Sequence, residues 1–484
     1  MPLPAQSRPA VVKLLVIGGG ITGLSAAWEA ARSTEHGPVQ VVVAEASERW
    51  GGKLYTERSE GLLIEHGPDS FVAYRPAALK LIDELGLADQ VISISGTRTV
   101  YLRSRGRLRP LPAGMGMVLP TRLGPFVTTG ILSIADKLRA GADLFLPRQL
   151  RDGTDVTIGA FLRARLGHGI VQRFADPMIG GIYGASVNEL SLDAVLPSLR
   201  TDEQAHRSLM LASLAAGRRA RTSGPRGANS PFRTLRDGLG SLIDALVTQL
   251  TDAGADLRLG QAVSSVTASD GRSDVRFVDG TAETFDAVIF ASGVTATAEL
   301  LAEPAPTAAA ALKEIPLATS TVLALAYPSN AFAEPVTTHG WLEADPAPIS
   351  GITVSSAKWA GRAPAGTVLI RAFVPGRLGA IADAPEAELI AAVSAHIAAV
   401  LGATTPPTQV RVARWPQVMP KYTVGHLDRV AAVDQALADL PTWRVAGSPL
   451  RGVGVPDCVA DGRRQASLAL AAASGAATQV GSPA

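Results

Sequence analysis

One stretch near the start of the chain constrains its fold more than any other. The apolar run from Val11 to Ile17 breaks into three glycines, Gly18, Gly20 and Gly23, and continues into alanine-rich residues with helical spacing. This order predicts a buried parallel strand, a tight turn and a helix that begins at the turn. Backbone N–H groups at such a helix N-terminus bind a pyrophosphate. The stretch therefore predicts a dinucleotide-binding domain.

The second predicted strand, VQVVVA, ends beside Glu45, where a carboxylate can accept hydrogen bonds from a ribose hydroxyl. The run EASERWGGKLYTE then places Arg49 and the pair Gly51 and Gly52 directly after this acid. An E-A-x-x-R-x-G-G run of this kind resembles the two-domain FAD oxidoreductases, the family that includes amine oxidases, phytoene desaturases and protoporphyrinogen oxidases. The resemblance implies that FAD is the cofactor, with the arginine and the glycine pair along its diphosphate.

Length and composition exclude several other classes of protein. A chain of 484 residues suits two or three domains, and 47% hydrophobic residues with 48 glycines and 33 prolines indicate a packed protein with many turns. The 45 basic and 43 acidic residues nearly balance and form no polybasic tract, so we expect no nucleic acid partner. A single cysteine, Cys458, excludes an internal disulfide and a cysteine-built zinc site, and we expect no bound metal.

The same pass along the chain predicts where the protein resides. The first residues, MPLPAQSRPA, lack the apolar core of a signal peptide, and no uninterrupted apolar run reaches 18 residues. We therefore expect a cytoplasmic protein. Membrane association stays open, and we expect it to be peripheral at most, through the apolar 115–146 region.

The end of the chain repeats the pattern of its beginning. WRVAGSPLRGVGVPDCVADGRRQA reads as a strand, a glycine-rich turn and a helix, so we expect the chain to return to the nucleotide-binding domain. The predicted fold class is α/β, with a discontinuous Rossmann-type FAD-binding domain, a β-sheet substrate domain and a helical insertion. The predicted boundaries are 1–95, 232–300 and 415–484 for the FAD-binding domain, 96–216 for a mostly helical insertion or substrate-side domain, 217–231 for a loop and 301–414 for the substrate-binding sheet domain.

Two short strands are predicted around the run RSRGR. Four arginines, Arg103, Arg105, Arg107 and Arg109, are spaced two apart there and would share one face if the strands are regular. Such a face is either solvated or a basic rim for an acidic substrate.

Three further motifs narrow the family. The closing GVGVPDC resembles the porphyrinogen oxidases rather than the amine oxidases, and so do GPDSF, which begins at Gly67, and WPQVMPKYTVGH, which begins at Trp415. The resemblance implies that the Gly-Pro-Asp-Ser segment lies along FAD near the isoalloxazine, that the tryptophan contacts FAD, and that the backbone of Val263 contacts the adenine side. Backbone amides from Gly452 to Val455 would stabilise negative charge on the reduced flavin.

The cofactor-binding residues predicted in this way are Gly18, Gly19, Gly20, Ile21, Thr22, Gly23, Glu45, Ala46, Arg49, Gly52, Lys53, Gly67, Pro68, Asp69, Ser70, Val263, Trp415, Gly452, Val453, Gly454 and Val455.

The activity that the resemblance implies is oxidation of a porphyrinogen in haem biosynthesis. The alanine- and arginine-rich composition and the compact motifs resemble the Gram-positive branch, which oxidises coproporphyrinogen III. Three two-electron steps to the flavin and reoxidation by O2 would give the porphyrin and hydrogen peroxide. This chemistry requires neither a nucleophile nor a metal, so we assign no catalytic residue and expect His66 and His426 to be structural. Arg98 aligns approximately with an arginine that binds a propionate in the family, and Gly184 would let the tetrapyrrole approach the backbone.

Several other functions remain open. Protoporphyrinogen IX is the alternative substrate, and an amine oxidase or a carotenoid desaturase would share the fold and FAD. A porphyrin carrier that binds flavin without turning over is the non-enzymatic alternative. A downstream enzyme of the haem pathway is a further candidate partner.

Overall fold

A computed structural model describes residues 11–35, 37–96, 100–222 and 230–480. Its centre is a five-stranded parallel sheet whose strands come from three separate parts of the chain. The inner strands, VKLLVI, VQVVVA and AVIF, are mostly apolar without alternating polar residues, which is typical of a parallel sheet covered on both faces. In spatial order the strands are Asp256–Arg258, Val39–Ala44, Val12–Ile17, Ala287–Phe290 and Trp443–Val445.

Alternate residues of these strands enter two different hydrophobic cores. Leu14 and Val16 pack on one face of the sheet, whereas Leu15 and Ile17 pack on the other. The first core is closed by the helices Ile21–Ala31, Ala77–Glu84, Gly240–Asp252 and Val455–Val480. The second core is closed by the helices Val294–Leu300, Pro306–Lys313 and His426–Ala436 and by a sheet formed by Val263–Ser269, Arg272–Phe277 and Ala282–Phe285.

A seven-stranded sheet forms the second large layer. Its strands pair antiparallel except where Gly340–Glu343 runs parallel to Tyr101–Ser104. The helix Glu386–Leu401 buries Leu389, Val393 and Ile397 against it. In spatial order the strands are Gln409–Pro420, Leu317–Pro328, Thr367–Pro375, Gly351–Val354, Gly340–Glu343, Tyr101–Ser104 and Arg107–Pro110.

The chain from residue 123 to residue 222, between the first and second parts that contribute strands to the central sheet, is mostly helical. Its unusual element is the π-helix Val171–Gly180, which contains Pro177 and buries Phe174 and Ile179. The other helices here are Leu123–Thr128, Ile134–Gly141, Ala142–Leu144, Ile158–Leu166, His168–Ile170, Gly181–Tyr183, Leu192–Val195, Pro197–His206 and Leu209–Thr222.

Smaller elements connect these layers. Thr56–Ser59 and Leu62–Glu65 form a hairpin, and Phe232–Leu235 pairs with both Phe71–Val72 and Val91–Ser93. The remaining helical turns are Ala88–Gln90, Ser329–Ala331, Ser355–Lys358, Gly376–Leu378 and Ala380–Asp383.

The prediction that four arginines share one strand face is wrong. Arg105 lies in the turn of the hairpin with a positive φ of 56°, so it belongs to neither strand. Across the hairpin Arg103 is opposite Leu108, while Arg109 is opposite Leu102. Directly opposite residues share a face, so Arg103 and Arg109 project from opposite faces of the ribbon. The hairpin also joins the edge of the seven-stranded sheet, so this part of the predicted segment 96–216 is sheet rather than helix.

The predicted loop 217–231 needs a correction as well. The helix Leu209–Thr222 continues through Gly217 to Thr222, whereas a loop was expected. Residues 223–229 lie outside the described part of the chain. Within the described ranges, no helix combines the length and the apolar character needed to cross a lipid bilayer.

Candidate cofactor and active site

A cavity of about 880 Å³ opens where the strands of the central sheet end. It is lined by Ile17, Ala44, Ala291 and Ala446, which stand at or just beyond the carboxyl ends of four parallel strands. Ligands of open α/β sheets bind at this edge, and the volume lies in the upper part of the roughly 300–1,000 Å³ range of small-molecule sites.

The first glycine turn forms one wall of this cavity. Gly18 has a φ of 111°, and a Cβ on it would lie 2.7 Å from the Ala291 carbonyl oxygen. A Cβ on Gly23 would lie 1.9 Å from the Gly18 carbonyl oxygen, so only glycine permits the helix to start this close to the strand. Gly20 is the N-cap of the helix Ile21–Ala31 without any side-chain cap, and its ideal Cβ position has no atom within 4 Å. The helix N-terminus therefore presents backbone N–H groups toward open cavity space.

Glu45 connects the second strand to this turn. Its carboxylate accepts hydrogen bonds from the Gly19 N–H at 2.7 Å, the Ser47 N–H at 2.9 Å and the Ser47 hydroxyl at 2.7 Å. The side chain also lines the cavity, on the same side as Gln261 and Val263. A carboxylate held in this way has a fixed orientation and still has acceptor capacity for a ligand hydroxyl. Its contact with a ribose remains a prediction.

Arg49 and the following glycine pair form the next part of the wall. The guanidinium donates to the Gly52 carbonyl oxygen at 2.6 Å and stacks over the Tyr55 ring at 4.6 Å. Gly51 and Gly52 both have positive φ values, 98° and 56°, which lets the chain turn back toward Gly20. Arg49 is therefore held in place and contributes a positive charge at the cavity.

The second glycine turn leads into the C-terminal helix Val455–Val480. Gly452 has a φ of 124°, and its N–H donates to the Tyr422 hydroxyl at 2.7 Å. The same hydroxyl donates to the Ser448 carbonyl oxygen at 2.7 Å, and burial raises the pKa of Tyr422 well above its ordinary value. The Tyr422 ring stacks on His426 with centroids 3.8 Å apart. The Tyr422 hydroxyl thus joins the Ser448 carbonyl to the Gly452 N–H and holds the second glycine turn in place.

His426, in turn, donates from Nε2 to the Leu450 carbonyl oxygen at 3.0 Å, and burial lowers its pKa. His66 contacts Glu57 at 2.8 Å and its carbonyl accepts the indole N–H of Trp415 at 2.8 Å. Both histidines therefore take part in hydrogen bonds within the protein, in agreement with the structural role expected for them.

The Gly-Pro-Asp-Ser segment reaches the cavity only through Pro68. Asp69 instead points into a buried cluster, where it accepts from Lys358 at 3.0 Å and Trp359 at 3.2 Å and pairs with Arg371 at 3.5 Å. Burial acts to raise the pKa of Asp69, but Lys358 and Arg371 outweigh it and hold this pKa below its ordinary range. Arg371 also donates to the Gly67 carbonyl oxygen. The cluster therefore supports the cavity wall from behind.

The predicted cofactor residues divide into two groups. Those that line the cavity are Gly18, Gly20, Ile21, Thr22, Glu45, Ala46, Arg49, Gly52, Lys53, Pro68, Val263, Trp415, Val453 and Val455. Those that lie behind the lining residues are Gly19, Gly23, Gly67, Asp69, Ser70, Gly452 and Gly454.

Of the two predicted substrate residues, Gly184 is not among the residues that line this cavity. Gly184 has a left-handed φ of 62°, and its ideal Cβ lies 3.6 Å from the Ala318 Cβ, where the helical insertion meets the seven-stranded sheet. Arg98 lies outside the described residues.

Sequence reasoning missed several lining residues. Ser292 and Ser448 come one or two residues after Ala291 and Ala446, so their position at strand ends was a usable signal. Glu299 and Gln417 had no such signal, because a helix and a distant strand bring them to the cavity.

Cys458 lines the cavity but is not poised for chemistry. Its side chain is buried, and burial raises the pKa of the thiol to about 11, so the thiol is protonated at neutral pH. Across the described part of the chain, no three His, Cys, Asp or Glu side chains cluster as metal ligands would.

Comparison with known proteins assigns the class. The family model for flavin-containing amine oxidoreductases matches residues 21–470, nearly the whole chain. The chain belongs to this family, and it is an oxidoreductase that uses FAD. The glycine turn, the anchored Glu45 and the long cavity fit this cofactor: backbone amides face the place of the diphosphate, and a carboxylate lies at the end of the second strand.

The relatives narrow the class further. A coproporphyrinogen III oxidase of Propionibacterium freudenreichii is 55% identical, with 95% of this chain and 91% of the relative aligned. A coproporphyrinogen III oxidase of Bacillus subtilis is 32% identical, with 94% and 97% aligned. A crystal structure from Exiguobacterium sp. 255-15, provisionally named protoporphyrinogen oxidase, is 30% identical with a TM-score of 0.82, covering 94% of this chain and 98% of that one. Within its family, the chain belongs with the porphyrinogen oxidases.

Proposed function

We propose that this protein oxidises coproporphyrinogen III to coproporphyrin III in haem biosynthesis, with O2 as the terminal oxidant. The observation that carries the proposal is the 55% identity, over 95% of the chain, to a relative named for that reaction. The cavity supports it, because the described lining holds the backbone amides and fixed carboxylate that FAD needs.

The proposed reaction balances over three equal rounds. Each round removes two hydrogen atoms from the macrocycle, and three O2 molecules become three H2O2 while one porphyrinogen becomes one porphyrin. When bound, FAD supplies the hydride acceptor and passes the electrons to O2. The protein itself has to hold the macrocycle against the flavin, exclude water and stabilise the charge that arrives with the hydride.

Residues that line the cavity exclude water and stabilise the charge. Leu54, Pro68 and Val453 give the cavity an apolar wall that excludes water. Val453 and Val455 line the cavity at the start of the C-terminal helix, and their backbone N–H groups are proposed to face the place where negative charge develops, whereas the Gly452 and Gly454 N–H groups donate to Tyr422 and Asp457. Neither function requires a proton-transferring side chain.

The macrocycle is proposed to enter where the helical insertion meets the seven-stranded sheet. Gly184 lies at this junction, where its ideal Cβ position is in ordinary van der Waals contact with the Ala318 Cβ at 3.6 Å. An ion pair of Lys421 with Glu189, 3.0 Å apart, joins the two layers. Arg98, by the family resemblance, would bind one of the four propionates.

Membrane contact of this protein is proposed to be peripheral at most. Ile134, Leu138 and Phe145 are 76%, 72% and 82% exposed within the apolar region that the sequence marked. Ile134 and Leu138 are four residues apart and therefore share a helix face. Serine at all three positions is expected to abolish binding to anionic vesicles, and Val278→Ser, at an exposed apolar residue elsewhere on the surface, is the control. Equal binding by the triple variant and the parent would exclude this surface.

The proposed function is tested by porphyrin fluorescence in air. Purified protein receives equal amounts of coproporphyrinogen III and protoporphyrinogen IX in parallel, each corrected for spontaneous oxidation. We expect the faster catalysed signal from the substrate with four propionates. A preference for protoporphyrinogen IX would change the pathway step, and no signal from either would leave the amine oxidase, desaturase and carrier alternatives.

A further inference from the structure

Lys53 is a predicted cofactor residue that lines the cavity, and its cationic side chain has no assigned role in the proposed reaction. It follows the Gly51 and Gly52 turn, and its backbone carbonyl packs against Gly67 so closely that a Cβ on Gly67 would lie 1.9 Å away. The side chain lines the cavity. Lys53 therefore stands where the first cofactor motif and the Gly-Pro-Asp-Ser segment meet.

The ammonium group is oriented by two acceptors. Nζ donates to the Val418 carbonyl oxygen at 2.8 Å and to the Ser448 hydroxyl at 3.2 Å. Both partners line the same cavity. An ammonium has three N–H bonds, so these contacts leave one donor for a ligand.

The charge of Lys53 lacks a protein counter-ion. Among the described residues, its Nζ has no carboxylate within 4 Å, whereas the neighbouring cation Lys358 pairs with Asp69 at 3.0 Å. Burial lowers the pKa of Lys53, and the opposing influence comes from the Cys458 thiol, which is itself neutral at pH 7. A desolvated cation at a cavity wall without a partner indicates that the ligand supplies the negative charge.

FAD carries two candidate charges, the diphosphate and the reduced isoalloxazine. The diphosphate belongs at the start of the helix Ile21–Ala31, beside Gly20. An ideal Cβ on Gly52 lies 3.5 Å from the Gly20 Cα, but the Lys53 side chain leads from there to Val418 and Ser448. The Ser448 carbonyl oxygen accepts from the Tyr422 hydroxyl, which itself accepts from the Gly452 N–H. The ammonium therefore lies beside the residues that hold the second glycine turn, which is the end proposed for the ring.

We propose that Lys53 contacts the flavin ring and neutralises the negative charge that the ring gains on reduction. A hydride brings two electrons and one proton, so the bound flavin becomes more negative by one charge in each round. A fixed ammonium favours that state and raises the reduction potential of the cofactor. The inference rests on the flavin reaction proposed above, but its test needs no porphyrinogen.

The test compares three substitutions of Lys53 in the FAD-loaded full chain. Lys53→Gln keeps N–H donors and loses the charge, Lys53→Arg keeps the charge, and Lys53→Met loses both. Lys313→Met, at an exposed helical lysine, is the matched control. The two measurements are the midpoint potential of the bound flavin, titrated with a dye and a chemical reductant, and the dissociation constant of oxidised FAD.

We expect Lys53→Gln and Lys53→Met to lower the preference for reduced over oxidised FAD at least tenfold, which corresponds to about 30 mV for a two-electron couple. Lys53→Arg should recover most of the potential, and Lys313→Met should leave it unchanged. Weaker binding of oxidised FAD with an unchanged potential would assign Lys53 to the diphosphate and overturn the proposal. No change in either the potential or the dissociation constant would also overturn the proposal, because Lys53 would then only hydrogen-bond Val418 and Ser448 to each other. Comparing Gln with Arg keeps the test informative if the Met variant does not fold.

Discussion

Two segments that the sequence marks as cofactor-binding serve the cavity in different ways. The turn from Gly18 to Gly23 faces the cavity, and its backbone is shaped by contacts of the turn with itself and with Glu45. The segment from Gly67 to Ser70 contributes Pro68, while Asp69 turns away into a buried cluster of charges. The first segment should therefore control FAD affinity, and the second should control the stability of the wall. Of the two predicted cofactor motifs, one therefore forms the cavity lining and the other mainly connects that lining to a buried cluster of charges.

The largest effect is expected for Asp69→Asn. This change leaves Lys358 and Arg371 buried without their carboxylate, and breaking one partner of a buried pair costs about 3–5 kcal/mol. Urea unfolding of the FAD-free protein measures the loss, with Asp439→Asn at an exposed position as the control. If Asp69→Asn were as stable as the control, the cluster would not support the wall.

The pH dependence of the same pair of proteins sharpens this result. Because the folded-state pKa of Asp69 is depressed, its stabilising effect is complete above its unfolded pKa of about 3.9 and is lost as the pH falls toward the folded value. The stability gap between the parent and Asp69→Asn should therefore be constant between pH 6 and 7 and narrow below about pH 4. A gap that widens in acid would contradict the assigned direction.

Gly23→Ala and Gly20→Ala separate the shape of the first turn from its contact with the ligand. A Cβ at position 23 meets the Gly18 carbonyl oxygen, and such overpacking costs about 1–3 kcal/mol or more. A Cβ at position 20 meets no protein atom and projects where the diphosphate is expected. Both variants should bind FAD more weakly, but only Gly23→Ala should lose stability without FAD. Unchanged FAD affinity in Gly20→Ala would remove the helix N-terminus from the site.

Glu45→Ala should weaken FAD retention while the fold persists. A hydrogen bond to a charged group contributes about 1.5–3 kcal/mol, which predicts a roughly 10- to 100-fold higher dissociation constant. The FAD dissociation constant of Glu45→Gln should lie between those of Glu45→Ala and the parent. Glu48→Ala, at a neighbouring exposed acid, should bind FAD as tightly as the parent. Full FAD occupancy of Glu45→Ala after dialysis would count against the ribose contact.

The smallest effect is expected for Arg98→Ala, a change at a predicted substrate-binding residue. Arg98→Ala should raise KM more than it lowers kcat, because a propionate contact made equally in the ground and transition states is lost. An exposed pairing contributes up to about 1 kcal/mol, so a two- to fivefold change is expected. Arg105→Ala, in the exposed hairpin turn, is the control. An unchanged KM would remove Arg98 from the pocket.

The sequence predicted the parts of the site whose geometry is local. A strand, a glycine turn and a helix within a few residues define a pyrophosphate site, and the structure has them at the Val12–Ile17 strand and again before Val455. FAD and the porphyrinogen oxidase family, both implied by these motifs, are confirmed by the comparisons.

The parts that escaped prediction depend on contacts distant in the chain. Lys358 lies 289 residues from Asp69 in the chain, so no residue near Asp69 in the sequence predicted that its carboxylate would be buried against a cation. The faces of Arg103 and Arg109 were decided by hairpin register, because one residue of shift reverses a strand's faces. Lys53 was placed among the cofactor residues by resemblance, but its missing counter-ion became visible only with Val418 and Ser448 beside it.

The most direct test of the account is an anaerobic titration of the FAD-loaded protein with coproporphyrinogen III. The account predicts that the yellow flavin absorbance bleaches as substrate is added, with one coproporphyrin formed for about three flavins reduced, and that it returns when O2 is admitted. A flavin that stays oxidised while the macrocycle binds would contradict the proposed oxidase and identify a carrier.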